Sequence, residues 1–262
     1  MVFCIGCCKG RNKLHKSELS PGIIRYSLDP LSGHHFGTNV YALVSEGKVL
    51  LVDTGYAFQA LEVFQDIGDS GFTIEGVIIS HFHDDHMQGL KVLPKVPVYG
   101  SEHFKTALDI WTEKEEHRYF YPTVLIKDTV SIEFGKHRIT MIPFPGHSQC
   151  TLLTLINGKY LHIADELMFS NESKPVLPMT DPGCIQRHAD SLKKLKAYGA
   201  YVFLPAHGLE LQGAEKIEKQ IDKRLAYFNA ILNADGRITV EEALRDCDGG
   251  FLHSEWHRYV YE

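Results

Sequence analysis

Short apolar, β-branched runs punctuate the first half of the chain. Ile23 to Leu28, Val40 to Val44 and Val49 to Val52 read as strands, with Gly47 at a hairpin turn. Leu61, Phe64 and Ile67 then recur at helical spacing within Ala57 to Ile67. Val77 to Ile79 reads as a short buried strand ending at Ser80, and Glu102 to Glu116 as a helix. Val124 to Ile126, Val130 to Phe134 and Arg138 to Pro143 return to strands. Thr151 to Ile156 and Tyr160 to Ala164 flank Asn157-Gly158, the strongest short hairpin signal in the chain.

The pattern then changes. Ile185, His188, Leu192, Leu195 and Tyr198 share one helical face, Tyr201 to Leu204 reads as one more buried strand, and Ile217, Ile221, Leu225, Phe228 and Leu232 form a stripe along a long helix. Thr239, followed by Glu241 and Glu242, marks a further helix start. Two sheets with helices outside satisfy this order, because each sheet needs its second face covered.

Composition narrows the class. The 262 residues are 44% hydrophobic and 23% charged, as in an ordinary globular domain. A net charge of -6 disfavours nucleic acid as a partner and leaves a small-molecule substrate as the expectation. No run approaches the roughly 18 apolar residues of a membrane span, and the first residues lack the pattern of a secretory signal, so the expected location is cytoplasmic. Six cysteines are present; Cys4, Cys7 and Cys8 form a C-x-x-C-C cluster readable as a soft-metal or redox site or as a reduced terminus.

Chemistry concentrates in Ser80-His81-Phe82-His83-Asp84-Asp85-His86. Three imidazoles and two carboxylates this close are hard to explain as packing, since burial without partners would cost several kcal/mol. His81 and His83 alternate beyond a strand and can point the same way; Asp85 and His86 follow at a turn into a helix and can face a second ion. Three later strands each end in a further metal-compatible residue: His147 in Pro-Gly-His-Ser, Asp165 after Tyr160 to Ala164, and His207 in Pro-Ala-His-Gly. Asp53, after Val49 to Val52, is a fourth such position.

The H-x-H-x-D-H pattern, met by His81, His83, Asp85 and His86, resembles that of the metallo-β-lactamase superfamily, and His147, Asp165 and His207 match its later ligands. The resemblance spans about residues 23 to 210. It implies an α+β fold, an αββα sandwich of two packed mixed sheets flanked by helices. It divides the chain into an N-terminal extension (1–22), a catalytic domain (23–210) and a C-terminal helical extension packed on it (211–262). By the same resemblance His81, His83 and His147 hold one divalent ion, Asp85, His86 and His207 a second, and Asp165 bridges them. Zinc is the first expectation, with iron or manganese as alternatives. Asp53 is expected to orient the ligand loop by hydrogen bonding.

Two ions so held would share a water whose pKa falls to around 7, able to attack a carbonyl carbon or phosphorus. Asp85 is the expected catalytic proton carrier. His34, His35 and Phe36, in a glycine-flanked loop, are candidate substrate contacts, and 166–184 is either a lid or surface packing. Asp165 stands where zinc β-lactamases carry a cysteine. A thioester or lactone is therefore favoured over a β-lactam. The ligand set also resembles that of glyoxalase II, whose glutathione-binding domain has no clear match after His207. Phosphodiester hydrolysis, including RNA processing, is the alternative enzyme class. An iron-binding redox or sensing protein is a third reading, although diiron relatives carry glutamate where this chain has His83.

Overall fold

The computed structural model describes residues 14–261; Cys4, Cys7 and Cys8 lie outside the described residues. Seven strands form the first sheet, neighbours in chain order: β1 (His15–Ser20), β2 (Ile23–Ser27), β3 (Asn39–Ser45), β4 (Lys48–Val52), β5 (Thr73–Ile78), β6 (Val98–Ser101) and β7 (Val124–Ile126). β1 to β4 pair antiparallel, and β4 to β7 pair parallel. The second sheet runs from β8 (Val130–Phe134) through β9 (His137–Pro143), β10 (Leu152–Ile156) and β11 (Tyr160–His162) to β12 (Val202–Leu204). Only its β11–β12 pair is parallel.

Strand periodicity decides the layering. In β3, Tyr41 and Leu43 enter a cluster with Leu50, Val52 and Ile78, which meets Ile139, Met141, Leu152 and Ile156 of the other sheet. Val40 and Ala42, pointing the opposite way, join Val63, Ile67 and Leu108 from helices α1 (Ala57–Asp69) and α3 (Phe104–Trp111), with the single turn α2 (Asp84–Met87) between them in the chain. Leu153, Leu161 and Phe203 lie against helices α4 (Ile185–Leu195) and α5 (Ala214–Leu232). The layers are thus helix, sheet, sheet, helix, the αββα sandwich expected from the sequence.

Turn chemistry supports both hairpins. Asn157 and Gly158 have φ of 54° and 61°, and Glu46 and Gly47 have φ of 52° and 76°, the positive pairs that a tight hairpin requires. Thr239 caps a short helix (Val240–Ala243) with a reciprocal Glu242 box.

Three elements differ from the sequence reading. β1 was not foreseen, because its His-Lys-Ser-Glu-Leu-Ser pattern is that of an exposed edge. β6 was also missed; it is four residues long. The helix read over Glu102 to Glu116 spans only Phe104–Trp111, because Thr112 turns extended with φ -135° and ψ 141°. No helix among the described residues is long and apolar enough to cross a membrane.

Candidate metal centre

Strand ends converge at one edge of the sandwich. Ser80 and His81 follow β5, and His83 precedes a single helical turn, Asp84–Met87, that carries Asp85 and His86. His147 follows β9, Asp165 follows β11 and His207 follows β12. The backbone is strained at two of these ends. Asp53 has φ 61° and Ala164, preceding Asp165, has φ 47°, a region costing non-glycine residues about 1–3 kcal/mol. Gly146 is required beside His147, because an added Cβ would lie 2.2 Å from Ser191 Oγ and 2.4 Å from Glu166 Oε1.

All seven predicted ligands come together. His81 Nε2 and His147 Nε2 each lie 3.1 Å from His83 Nδ1. Three imidazoles around one zinc at roughly 2.0–2.1 Å would have nitrogens about 3.3–3.4 Å apart in tetrahedral geometry, so this spacing fits an ion. In the second trio, Asp85 Oδ1 is 3.4 Å from His86 Nε2 and Asp85 Oδ2 is 3.3 Å from His207 Nε2. Asp165 Oδ2 faces both trios, 3.3 Å from His207, 3.5 Å from His86, and 3.8 Å from His81 and His147.

Each histidine has its other nitrogen occupied. His81 Nδ1 meets Ser80 Oγ at 3.1 Å, and His83 Nε2 donates to Asp181 Oδ1 at 3.2 Å. His86 Nδ1 donates to Asp53 Oδ2 at 2.9 Å, His147 Nδ1 to the Met179 carbonyl at 2.7 Å, and His207 Nδ1 to the Gly37 carbonyl at 2.9 Å. That fixes the tautomers and aims five lone pairs inward. Among the described residues, His86 Nε2, His207 Nε2 and Asp165 Oδ1 are buried without a hydrogen-bond partner. Buried polar atoms are rarely left so, and a divalent cation held beside Asp85 would satisfy the two imidazole nitrogens. The donor set therefore fits the metal expected of it.

The two trios differ electrostatically. Burial drives His81 well below its ordinary range and His147 down to about 4, leaving neutral imidazoles. Burial also opposes charge on His86 and His207. There the carboxylates win: Asp85, Asp165 and Asp53 hold His86 well above its range, and Asp165 and Asp85 raise His207 to about 10. Carboxylate charge exceeds what the buried histidines balance without protons, and a divalent ion replaces those protons.

His162, the last residue of β11, lies 3.7 Å from Asp53 Oδ2. Burial lowers its pKa to about 4 despite that carboxylate. The unfolded chain, with an ordinary value near 6.5, binds this proton first, so stability is lost as pH falls from 6.5 toward 4. Between pH 7 and pH 5 the loss is about 2 kcal/mol. We expect His162→Gln to flatten that part of the slope, read from urea midpoints of chelator-treated protein at both pH values.

Two candidate substrate residues, His34 and Phe36, line a cavity of about 290 Å³ with Asp85, His147 and Asp165. His35 does not; its Nδ1 turns to His253 Nε2 at 3.2 Å. The 166–184 segment supplies Met168 and Met179 to the cavity and contains Asp181, a residue not singled out in the sequence. Besides His83, that carboxylate accepts from Trp111 Nε1 at 3.1 Å, Ser148 Oγ at 2.9 Å, the Gln149 amide at 3.1 Å and Arg187 Nη2 at 3.2 Å. Its Thr-Asp-Pro-Gly setting reads as a turn, and nothing local signals the tertiary role.

The family model of the metallo-beta-lactamase superfamily matches residues 35–207. The chain belongs to this superfamily. Similar curated members include an exodeoxyribonuclease YycJ of Bacillus anthracis, 23% identical over 79% of this chain and 74% of that protein. An atrochrysone carboxyl ACP thioesterase of Aspergillus fumigatus is 22% identical over 90% of this chain and 72% of its own length. A hydroxyacylglutathione hydrolase of Actinobacillus pleuropneumoniae is 23% identical over 72% and 73%. Among solved structures, the metallo-beta-lactamase from Pontibacter korlensis superposes with a TM-score of 0.67 at 17% identity, covering 81% of this chain and 99% of that one. That likeness establishes the shared fold. As a member of this superfamily, the chain is a metal-dependent hydrolase.

Proposed function

We propose that the chain hydrolyses a thioester or lactone of a small molecule, using two divalent ions, zinc foremost. The observation that carries this reading is the lining of the cavity beside the ligands. It contains Phe36, Tyr56, Trp111, Met168, Met179 and Trp256, and no lysine or arginine among the described residues. Beyond the ions themselves, phosphodiester substrates commonly engage lysine or arginine clamps on the phosphoryl oxygens; an acyl substrate does not need them. The thioesterase and hydroxyacylglutathione hydrolase among the relatives support the same side.

In this reading His81, His83 and His147 hold one ion, Asp85, His86 and His207 the other, and Asp165 both. Bound there, the ions supply an activated water at neutral pH and polarise the scissile carbonyl. Asp85 lines the cavity beside them. Burial opposes its ionisation, but His86 and His207 outweigh burial and hold the carboxyl well below the usual range. It is the group that takes up a proton during attack and passes it to the leaving thiol or alcohol. Asp53 and Asp181 hold His86 and His83 in orientation.

The test is a hydrolysis panel of thioester, lactone, bis-p-nitrophenyl phosphate and β-lactam on protein loaded with zinc, manganese or iron. Thioester or lactone turnover that disappears in His83→Ala is the expected result. The exodeoxyribonuclease relative keeps the phosphodiester arm necessary, and a dominant signal there would overturn the acyl reading.

A further inference from the structure

The cavity is built from aromatic rings contributed by distant parts of the chain. Trp111 ends α3, while Trp256 and Tyr259 come from the Ser254–Tyr261 turns near the C-terminus. Both indoles are held in place. Trp256 stacks on His253 at 4.2 Å and 14°, and meets Phe36 at 5.8 Å and 89°. Phe36 in turn sets its ring against His207 at 4.8 Å, so a chain of ring contacts joins this wall to the metal centre. Trp111 is tied through its N–H to Asp181, and its ring meets His83 at 5.2 Å.

Charge completes the picture. Among the described residues, the only acidic or basic side chains lining the cavity, histidines apart, are Asp29, Asp85 and Asp165, all carboxylates. With Asp85 and Asp165 engaged by the ions, the wall away from them offers rings and Asp29 but no cation among the described residues to hold a second anionic group, so the polar thiol half of a substrate belongs outside and the acyl half inside. Resting on the acyl-hydrolase reading, we propose that this cavity is the acyl pocket for a compact, uncharged aromatic group, with Trp111, Trp256 and Tyr259 as its specificity determinants. Ring-lined walls favour a ring over an alkyl group of equal area, by roughly two- to twelvefold per aromatic pair. Rings already held rigid lose little freedom on binding. Met168 and Met179 adapt to the ring's outline.

Trp111 and Trp256 are the two tryptophans of the chain, so indole emission reports occupancy of this cavity whether or not turnover follows. Zinc-loaded protein is titrated with phenylacetate, acetate and adenosine monophosphate while emission is recorded. In parallel, kcat and KM are measured for the phenylacetyl and acetyl thioesters of N-acetylcysteamine. Phenylacetate should change the emission at concentrations about tenfold or more below acetate, and the phenylacetyl thioester should show kcat/KM about tenfold or more higher, chiefly through KM. Trp256→Ala and Tyr259→Ala should each pull that ratio toward one at unchanged zinc content, whereas Trp256→Phe should retain most of it. Equal kcat/KM for the two thioesters without an emission change, or tighter binding of adenosine monophosphate, would overturn the proposal. Phenylacetate binding with no turnover of either thioester would instead leave the pocket standing and remove the hydrolase reading.

Discussion

Asp165→Ala is expected to lower hydrolysis on the order of 10³-fold or more, because Lewis-acid stabilisation is worth several kcal/mol and each ~1.4 kcal/mol is a factor of ten. Among the carboxylates of the described residues, Asp165 Oδ2 is the oxygen that lies within 3.8 Å of histidine nitrogens from both trios. Burial works against its ionisation, yet His207 and His86 keep it well below the ordinary carboxylate range. In the proposed dinuclear reading, alanine would remove the shared anion and leave two cations to repel each other across the gap. Steady-state kcat/KM with parallel metal analysis checks this: less than one equivalent of metal should remain on the second trio. Activity within tenfold of wild type would show that the bridging role is misassigned.

The second large effect falls on stability. Asp53 is fully buried, and its carboxylate accepts from the Ser80 amide at 2.7 Å, Ser80 Oγ at 2.8 Å and His86 Nδ1 at 2.9 Å. Asp53→Ala strands all three donors and leaves alanine at φ 61°. Breaking a buried charged network of this kind costs about 3–5 kcal/mol, or about 10 °C in melting temperature for a domain this size. Metal affinity should fall about 10- to 100-fold, the usual effect of losing a carboxylate behind a ligand. Because the Ser80 bonds exist without metal, most of the stability loss should persist in chelator; a loss confined to the metal-loaded form would contradict this account. Thermal melts with and without chelator separate the two outcomes.

The candidate ligands could be singled out because the segments that carry them follow apolar strands. Val77 to Ile79, Arg138 to Pro143, Tyr160 to Ala164 and Tyr201 to Leu204 carry a periodicity that locates their ends, and polar residues there have no packing role. Two sheets with helices outside were compatible with the order of elements, while the αββα layering itself came with the family resemblance. Asp181, Trp111 and Trp256 were not legible. Their roles depend on loops brought together by the two sheets, and locally each looks like a turn or a helix end. The sequence placed His34, His35 and Phe36 alike near the substrate, but the loop's path, which alone decides, turns His35 to His253.

Anomalous diffraction from crystals of the zinc-loaded protein, collected on both sides of the zinc edge, addresses the dinuclear site directly. Two peaks are predicted, one among His81, His83 and His147 and one among Asp85, His86 and His207, with Asp165 contacting both. A single peak, or none in protein that hydrolyses its substrate at full rate, would contradict it.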